Sequence, residues 1–244
     1  MSGLAVVVPA FNEAASIRAL IRRLEQQADR IIVVDDGSTD GTANEVADLA
    51  VTLIRHEHNQ GKGAALTSGI RAATASDAAA WIATVDGDGQ HNPEQLTTLL
   101  AYCRQYPDAL VLGARTGKAT HAPWSRRFAN GVADFFISWA AQQRVTDTQT
   151  GLRVYPAAAL IALMDQGRIR SSGFGWEAEA LIELARAGTP IIEVTVAAIY
   201  NHSGSPSHYR PARDSAIITL LVGRRLLARG LDPVGLLRSR RKRR

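Results

Sequence analysis

Five short, nearly uninterrupted apolar runs, set apart by helix-length segments, are the feature that most constrains the fold of this chain. Leu4–Pro9, Ile31–Asp36, Val51–Arg55, Trp81–Asp86 and Ala109–Gly113 are each about a strand long and rich in β-branched residues. Apolar runs without polar alternation mark strands buried on both faces. Between them, Glu13–Gln27, Gly41–Ala50, Gly63–Ala75 and Pro93–Tyr106 carry helical patterns, with start signals at Asp40 and at Asn92-Pro93. The order βαβαβαβαβ predicts an α/β fold with a parallel, Rossmann-like sheet and helices on both sides. Ligands then belong at the carboxyl ends of the strands.

The second half is less regular. Ser125–Gln142, Pro156–Met164, Gly173–Gly188 and Asp214–Arg229 read as helices, Pro190–Tyr200 as a strand and residues 201–213 as a polar loop. We expect one catalytic domain over residues 1–213, followed by an amphipathic helix and polybasic tail over residues 214–244. Hydrophobic content of 46% against 21% charged residues excludes wholesale disorder. The single Cys103 excludes an internal disulfide and reads as a buried structural thiol. No signal peptide and no membrane span of ~18 apolar residues is expected. Residues 224–244 hold nine Arg or Lys and one Asp, a local +8; the chain total of +5 therefore leaves 5 − 8 = −3 for residues 1–223. Nucleic-acid binding asks for a basic face on the folded body, so that class is set aside.

Polar clusters fall just where strands should end: Pro9-Ala-Phe11-Asn12-Glu13, Asp35-Asp36-Gly-Ser38 and Asp86-Gly-Asp88-Gly-Gln90. One acidic turn after a strand reads as a helix cap or Asx turn. Several on one sheet edge crowd carboxylates together, at a cost unless a cation neutralises them. Asp86, Asp88 and the amide of Gln90 form a hard oxygen set suited to Mg²⁺ or Mn²⁺. An EF-hand reading fails, because its twelfth position is Thr97 and not Glu.

Together, Pro9–Glu13, Val33–Gly41, Asn59–Ala64 and Val85–Pro93 resemble, in order and spacing, the successive motifs of glycosyltransferase family 2. The likeness covers about residues 3–210 and is nearest to dolichyl- and polyprenyl-phosphate sugar synthases. The resemblance implies a GT-A fold and inverting transfer from a nucleotide sugar, UDP- or GDP-linked. It puts Pro9, Phe11 and Glu13 at the base and ribose, with Phe11 where Tyr is commoner. Asp36 falls at the nucleobase with Asp35 beside it, and Lys62 at the donor. Asp86, Asp88 and Gln90 fall at the metal and diphosphate. Gly113-Ala-Arg115, Asp147–Arg153 and Phe174–Glu177 look like the acceptor-side motifs. Arg115 and Arg153 would suit phosphates. Asp88 would be catalytic.

Many relatives supply a general base from a Glu-Asp dipeptide, and this sequence has none. A phosphate monoester is largely dianionic at neutral pH and needs no base. The missing dipeptide favours a lipid-phosphate acceptor, while Asp147 or Glu177 stays open as the base for a hydroxyl acceptor, such as a lipid or pigment precursor. Glu177 and Glu179 lie two apart on one helix, so at most one enters the cleft. His208 is read as a metal ligand, a diphosphate contact or a surface residue. A nucleotidyltransferase would want a Gly- and Arg-rich loop after the first strand, which Pro9–Glu13 is not. Ile217–Leu237 and the basic run beyond it fit peripheral attachment to the cytoplasmic face of a membrane.

Overall fold

A computed structural model describes residues 3–75, 79–89, 92–116, 124–197, 211–228 and 230–240. The described strands are β1 (Leu4–Ala10), β2 (Arg30–Asp35), β3 (Thr52–Arg55), β4 (Trp81–Thr84), β5 (Leu110–Thr116), β6 (Arg153–Pro156) and β7 (Ile191–Ala197). They form one sheet in the order β3-β2-β1-β4-β6-β5-β7. All neighbours pair in parallel except β6, which runs antiparallel to both β4 and β5. The expected mostly parallel α/β sheet is present.

Alternate side chains of β1 enter different layers. Leu4, Val6 and Val8 join the core beneath α1 (Ile17–Leu24) and α4 (Gln95–Gln105), whereas Ala5 and Val7 face α3 (Lys62–Thr74). Cys103 lies in the first of these layers, and burial pushes its thiol up to about 12. The short α2 (Thr42–Val46) follows β2, and Asp40 accepts the backbone N–H of Thr42 at 3.0 Å as its start signal predicts.

The second half adds α5 (Trp124–Ala141), α6 (Ala157–Asp165), α7 (Gly175–Arg186), α8 (Pro211–Ala228) and α9 (Pro233–Arg240). Two expectations change here. β5 does not sit beside β4, because β6 is wedged between them in the register Trp81↔Pro156 to Thr84↔Arg153. Four residues carry too little pattern to announce a strand, and the partners that complete it are far away in sequence. The loop expected over 201–213 gives way to helix at Pro211, a residue suited to a first helical turn; residues 201–210 lie outside the described set.

α8 crosses the expected boundary at 213/214, and Ile218, Val222 and Leu226 are part of the core against α5 and α7. The turn into α9 is tied down by Trp139 Nε1, which donates to the Asp232 carbonyl at 2.9 Å, and by the Arg186–Asp232 ion pair at 3.0 Å. Among the described residues, no helix is long and apolar enough to cross a membrane.

Candidate active site

The loops after β1, β2 and β4 open on one sheet edge, and β6 adds a fourth. Because β6 is reversed, the loop that precedes it, Asp147–Leu152, meets the carboxyl end of β4. Gly151 shows how close that approach is: a Cβ there would stand 2.0 Å from Asp86 Oδ2. Only a residue without a side chain lets the two loops meet.

The loops after β1 and β2 are laced together. Asn12 adopts φ +56° and accepts the Thr39 N–H at 2.9 Å, while its own N–H donates to Ser38 Oγ at 2.9 Å. Pro9 and Phe11 are half-buried at this edge, Pro9 opposite Val34 in the strand register. Asp35 is buried and accepts the Ser38 N–H at 2.9 Å and Arg55 Nε at 3.1 Å. Asp36, expected at the nucleobase, is also buried and uses both oxygens within the protein. It accepts from the N–H groups of Gln60 (2.9 Å) and Gly61 (2.8 Å), and stands 2.7 Å from His56 Nδ1. Here it orders the turn that leads to Lys62. His56 is the brace for Asp36, with Ser68 Oγ 3.0 Å from its other ring nitrogen. Its place directly after β3 was the only signal in the sequence.

Lys62 opens α3. Its turn fits because Gly63 leaves room for the carbonyl of Ser171, 2.5 Å from where a Cβ would be. The Lys62 ammonium lies 2.7 Å from Asp86 Oδ1 and 2.8 Å from Glu177 Oε2. Burial works against that charge, but attraction to Asp86 and Glu177 outweighs it and holds the Lys62 pKa above its ordinary value. Of the two acidic residues at the start of α7, Glu177 is therefore the one that faces the cleft. Glu179 turns away, accepting the N–H groups of Arg170 and Ser171 at 2.8 Å each and pairing with Arg225 at 2.9 Å.

Glu13 stands beside the acidic turn, with Ser16 bridging its carboxylate (3.2 Å) to the Gly87 carbonyl (2.8 Å). Burial, then the charge of Asp88 and more weakly those of Asp86 and Asp40, push the Glu13 carboxyl up to about 7 against the pull of Ser16. Among the described residues, no cluster of three or more His, Cys, Asp or Glu forms a ready-made metal cage. The oxygen chemistry of Asp86 and Asp88 fits a divalent cation held only partly by protein. Gln90 and His208, also expected as ligands, lie outside the described residues.

The acceptor-side residues separate. Arg115 grips Asp147 with Nε at 2.9 Å and Nη2 at 3.2 Å, and Asp147 is buried. Arg153, expected to meet phosphate, is instead 0% exposed. Its guanidinium donates to the carbonyls of Thr148 (2.8 Å), Thr150 (2.8 Å) and Glu177 (2.9 Å), so it braces the loop from below. A buried guanidinium needs such acceptors.

A profile described as Glycosyl transferase family 2 matches residues 5–161, which span the site's loops from Pro9–Glu13 through Asp147–Leu152. The chain belongs to glycosyltransferase family 2. This family 2 glycosyltransferase is 29% identical, over 81% of its length and 84% of the relative's, to an undecaprenyl-phosphate mannosyltransferase of Micrococcus luteus. It is also 29% identical, over 80% of its length and 85% of the relative's, to a UDP-N-acetylglucosamine–dolichyl-phosphate N-acetylglucosaminyltransferase of Methanococcus voltae. The expected likeness to lipid-phosphate sugar transferases is thereby met. Its fold matches that of glucosyl-3-phosphoglycerate synthase from Mycobacterium tuberculosis, crystallised with Mn²⁺, UDP and phosphoglyceric acid. The TM-score is 0.69, with 21% identity, 93% of this chain covered and 78% of the other.

Proposed function

We propose that this glycosyltransferase moves a sugar, with inversion, from a UDP- or GDP-sugar to a lipid phosphate of the polyprenyl-phosphate kind, at the cytoplasmic face of a membrane. The observation that carries the acceptor reading is the state of the two candidate bases. Asp147 is locked by Arg115, and Glu177 is paired with Lys62. A hydroxyl acceptor would need one of them free within hydrogen-bond reach. A phosphate acceptor brings its own charged oxygen and needs neither. The named relatives, which act on undecaprenyl phosphate and dolichyl phosphate, support the same reading.

Mg²⁺ or Mn²⁺ would be held by Asp86, Asp88 and Gln90, with His208 as a further ligand. When bound, such an ion stabilises negative charge on the departing diphosphate. Pro9, Phe11 and Glu13 would bound the base and ribose pocket, with Asp35 and Asp36 shaping its floor. Lys62 would hold Asp86 in place and add positive charge near the diphosphate. Arg115, anchored by Asp147, would stand at the acceptor side.

The test pairs each of UDP- and GDP-linked sugars with a short-chain polyprenyl phosphate or the matching polyprenol, in Mn²⁺ or in chelator. Product from the phosphate alone, lost in chelator and in Asp88→Ala with an unchanged circular-dichroism spectrum, is the expected result. Glycosylation of the polyprenol would overturn the acceptor reading, and full activity of Asp88→Ala would overturn the metal site.

A further inference from the structure

The three helices α5, α8 and α9 each expose large apolar side chains. On α5, Phe128 and Phe135 are 61% and 42% exposed, while Ala133, Ile137 and Ala140 are buried. The helical repeat puts 128 and 135 on one stripe, roughly opposite the buried one. On α8, Ile218, Val222 and Leu226 face the core, and Leu220 and Leu227 point the other way, each 68% exposed. On α9, Val234 and Leu237 are exposed as well.

The helices that carry these stripes pack on one another. Both α8 and α9 pack on α5. The Phe135 ring lies 6.0 Å from that of Trp139, whose indole N–H bonds the Asp232 carbonyl immediately before α9. Exposed large apolar side chains gathered on neighbouring elements mark a surface that is covered in use.

Charge indicates what covers it. Arg224, Arg238 and Arg240 are exposed on these helices, and the sequence continues with Arg241-Lys242-Arg243-Arg244 while residues 1–223 sum to −3. An anionic bilayer offers acyl chains to the leucines and phenylalanines and phosphates to the arginines. A second copy of the chain, meeting this face about a two-fold axis, would set like charges against each other. The surface also borders the cleft: Asp134, next to Phe135, accepts the N–H of Thr148 at 2.9 Å, and Thr148 follows Asp147 of the site.

We propose that the outer faces of α5, α8 and α9 together form the surface by which this enzyme lies on an anionic membrane, with the acceptor side of the cleft toward the headgroups. The orientation rests on the lipid-phosphate reading; the docking itself does not. The α5 stripe was not foreseen from the sequence, which pointed only to the chain beyond residue 217.

The full chain is sedimented with phosphatidylcholine vesicles with and without phosphatidylglycerol, without any sugar donor. Wild type should partition to the anionic vesicles. Phe135→Ser combined with Leu237→Ser should lower that partition by roughly tenfold or more, and Arg238→Glu with Arg240→Glu should do likewise. Both variants should keep wild-type turnover of a water-soluble short-chain prenyl phosphate, because no substituted residue lines the cleft. Unchanged vesicle binding in the Phe135/Leu237 variant overturns the proposal. So does a wild-type dimer that ignores vesicles and becomes monomeric in that variant. Failure of the acceptor reading looks different: vesicles bind, but no prenyl phosphate is glycosylated.

Discussion

The ammonium of Lys62 lies 2.7 Å from the carboxylate of Asp86, so the first aspartate of the acidic turn is held by a protein cation from α3. The same ammonium reaches Glu177 on α7 at 2.8 Å, and its side chain is only 17% exposed. Three elements distant in sequence are joined through one nitrogen atom, at the point proposed for the donor diphosphate.

Lys62→Met should therefore damage both fold and function. It removes the ammonium shared by two carboxylates that are largely shielded from water. Breaking a pair of this kind costs about 3–5 kcal/mol. Thermal unfolding should register that loss, and sugar transfer should fall by about 100-fold or more. A variant with wild-type melting temperature and turnover would show that the bridge is incidental.

Gly151→Ala tests the approach of the β6 loop to Asp86. The added methyl would overlap a carboxylate oxygen, so either Asp86 or the loop must shift. We expect about 1–3 kcal/mol of destabilisation from overpacking. A displaced Asp86 should lower kcat/KM by roughly 100-fold. Steady-state kinetics beside a melting curve distinguish this from general unfolding.

Glu13 makes stability depend on pH. Its folded-state pKa, about 7, lies above its ordinary value of 4.5, so the folded protein binds the proton more tightly than the unfolded chain. That contribution is fully present below the unfolded value and is lost as pH rises through the folded one. The melting temperature of metal-free protein should thus fall from about pH 5 to about pH 7.5, and Glu13→Gln should flatten the decline. Added Mn²⁺ should restore stability most at the upper end, where the carboxylates are charged. An identical slope in Glu13→Gln would assign the dependence to another group.

Arg225 should transmit changes in α8 to the site. It pairs with Glu179 at 2.9 Å and with Glu183, both buried. Glu179 holds the N–H groups of Arg170 and Ser171, and the neighbouring Ser172 carbonyl accepts the Ala64 N–H at 2.9 Å in the first turn of α3. Arg225→Met takes one partner from each of two buried carboxylates, while Glu183 keeps Arg168 and Glu179 keeps its two N–H donors, and should cost on the order of 1–3 kcal/mol. Amide exchange at Ala64 should quicken more than at Val7 in β1. Equal acceleration at both would indicate uniform destabilisation without a path to Lys62.

Much of the fold was legible because it is written locally. The runs around Val7, Val33 and Ile82 are almost wholly apolar, and only strands covered on both faces call for that. The acidic turns were legible for the same reason, since each directly follows such a run and carries glycines beside its carboxylates. Arg153-Val-Tyr-Pro156 was not legible as a strand: its hydrogen-bond partners are β4 and β5, and nothing within four residues predicts them. The burial of Arg153 was not legible on the same ground. A guanidinium looks alike in sequence whether carbonyls or phosphates surround it.

By itself, the sequence determined the α/β class, the family, and which loops carry the acidic clusters, because hydrophobic period and motif spacing are properties of neighbouring residues. The tertiary structure decided who pairs with whom. Asp86 meets Lys62 and Gly151, Glu177 faces the cleft while Glu179 turns to Arg225, Asp147 is locked by Arg115, and the α8 helix packs into the core. Each of these depends on distances across the reversed strand β6 and between helices far apart in the chain, where burial and charge act through space and leave no trace in local spacing.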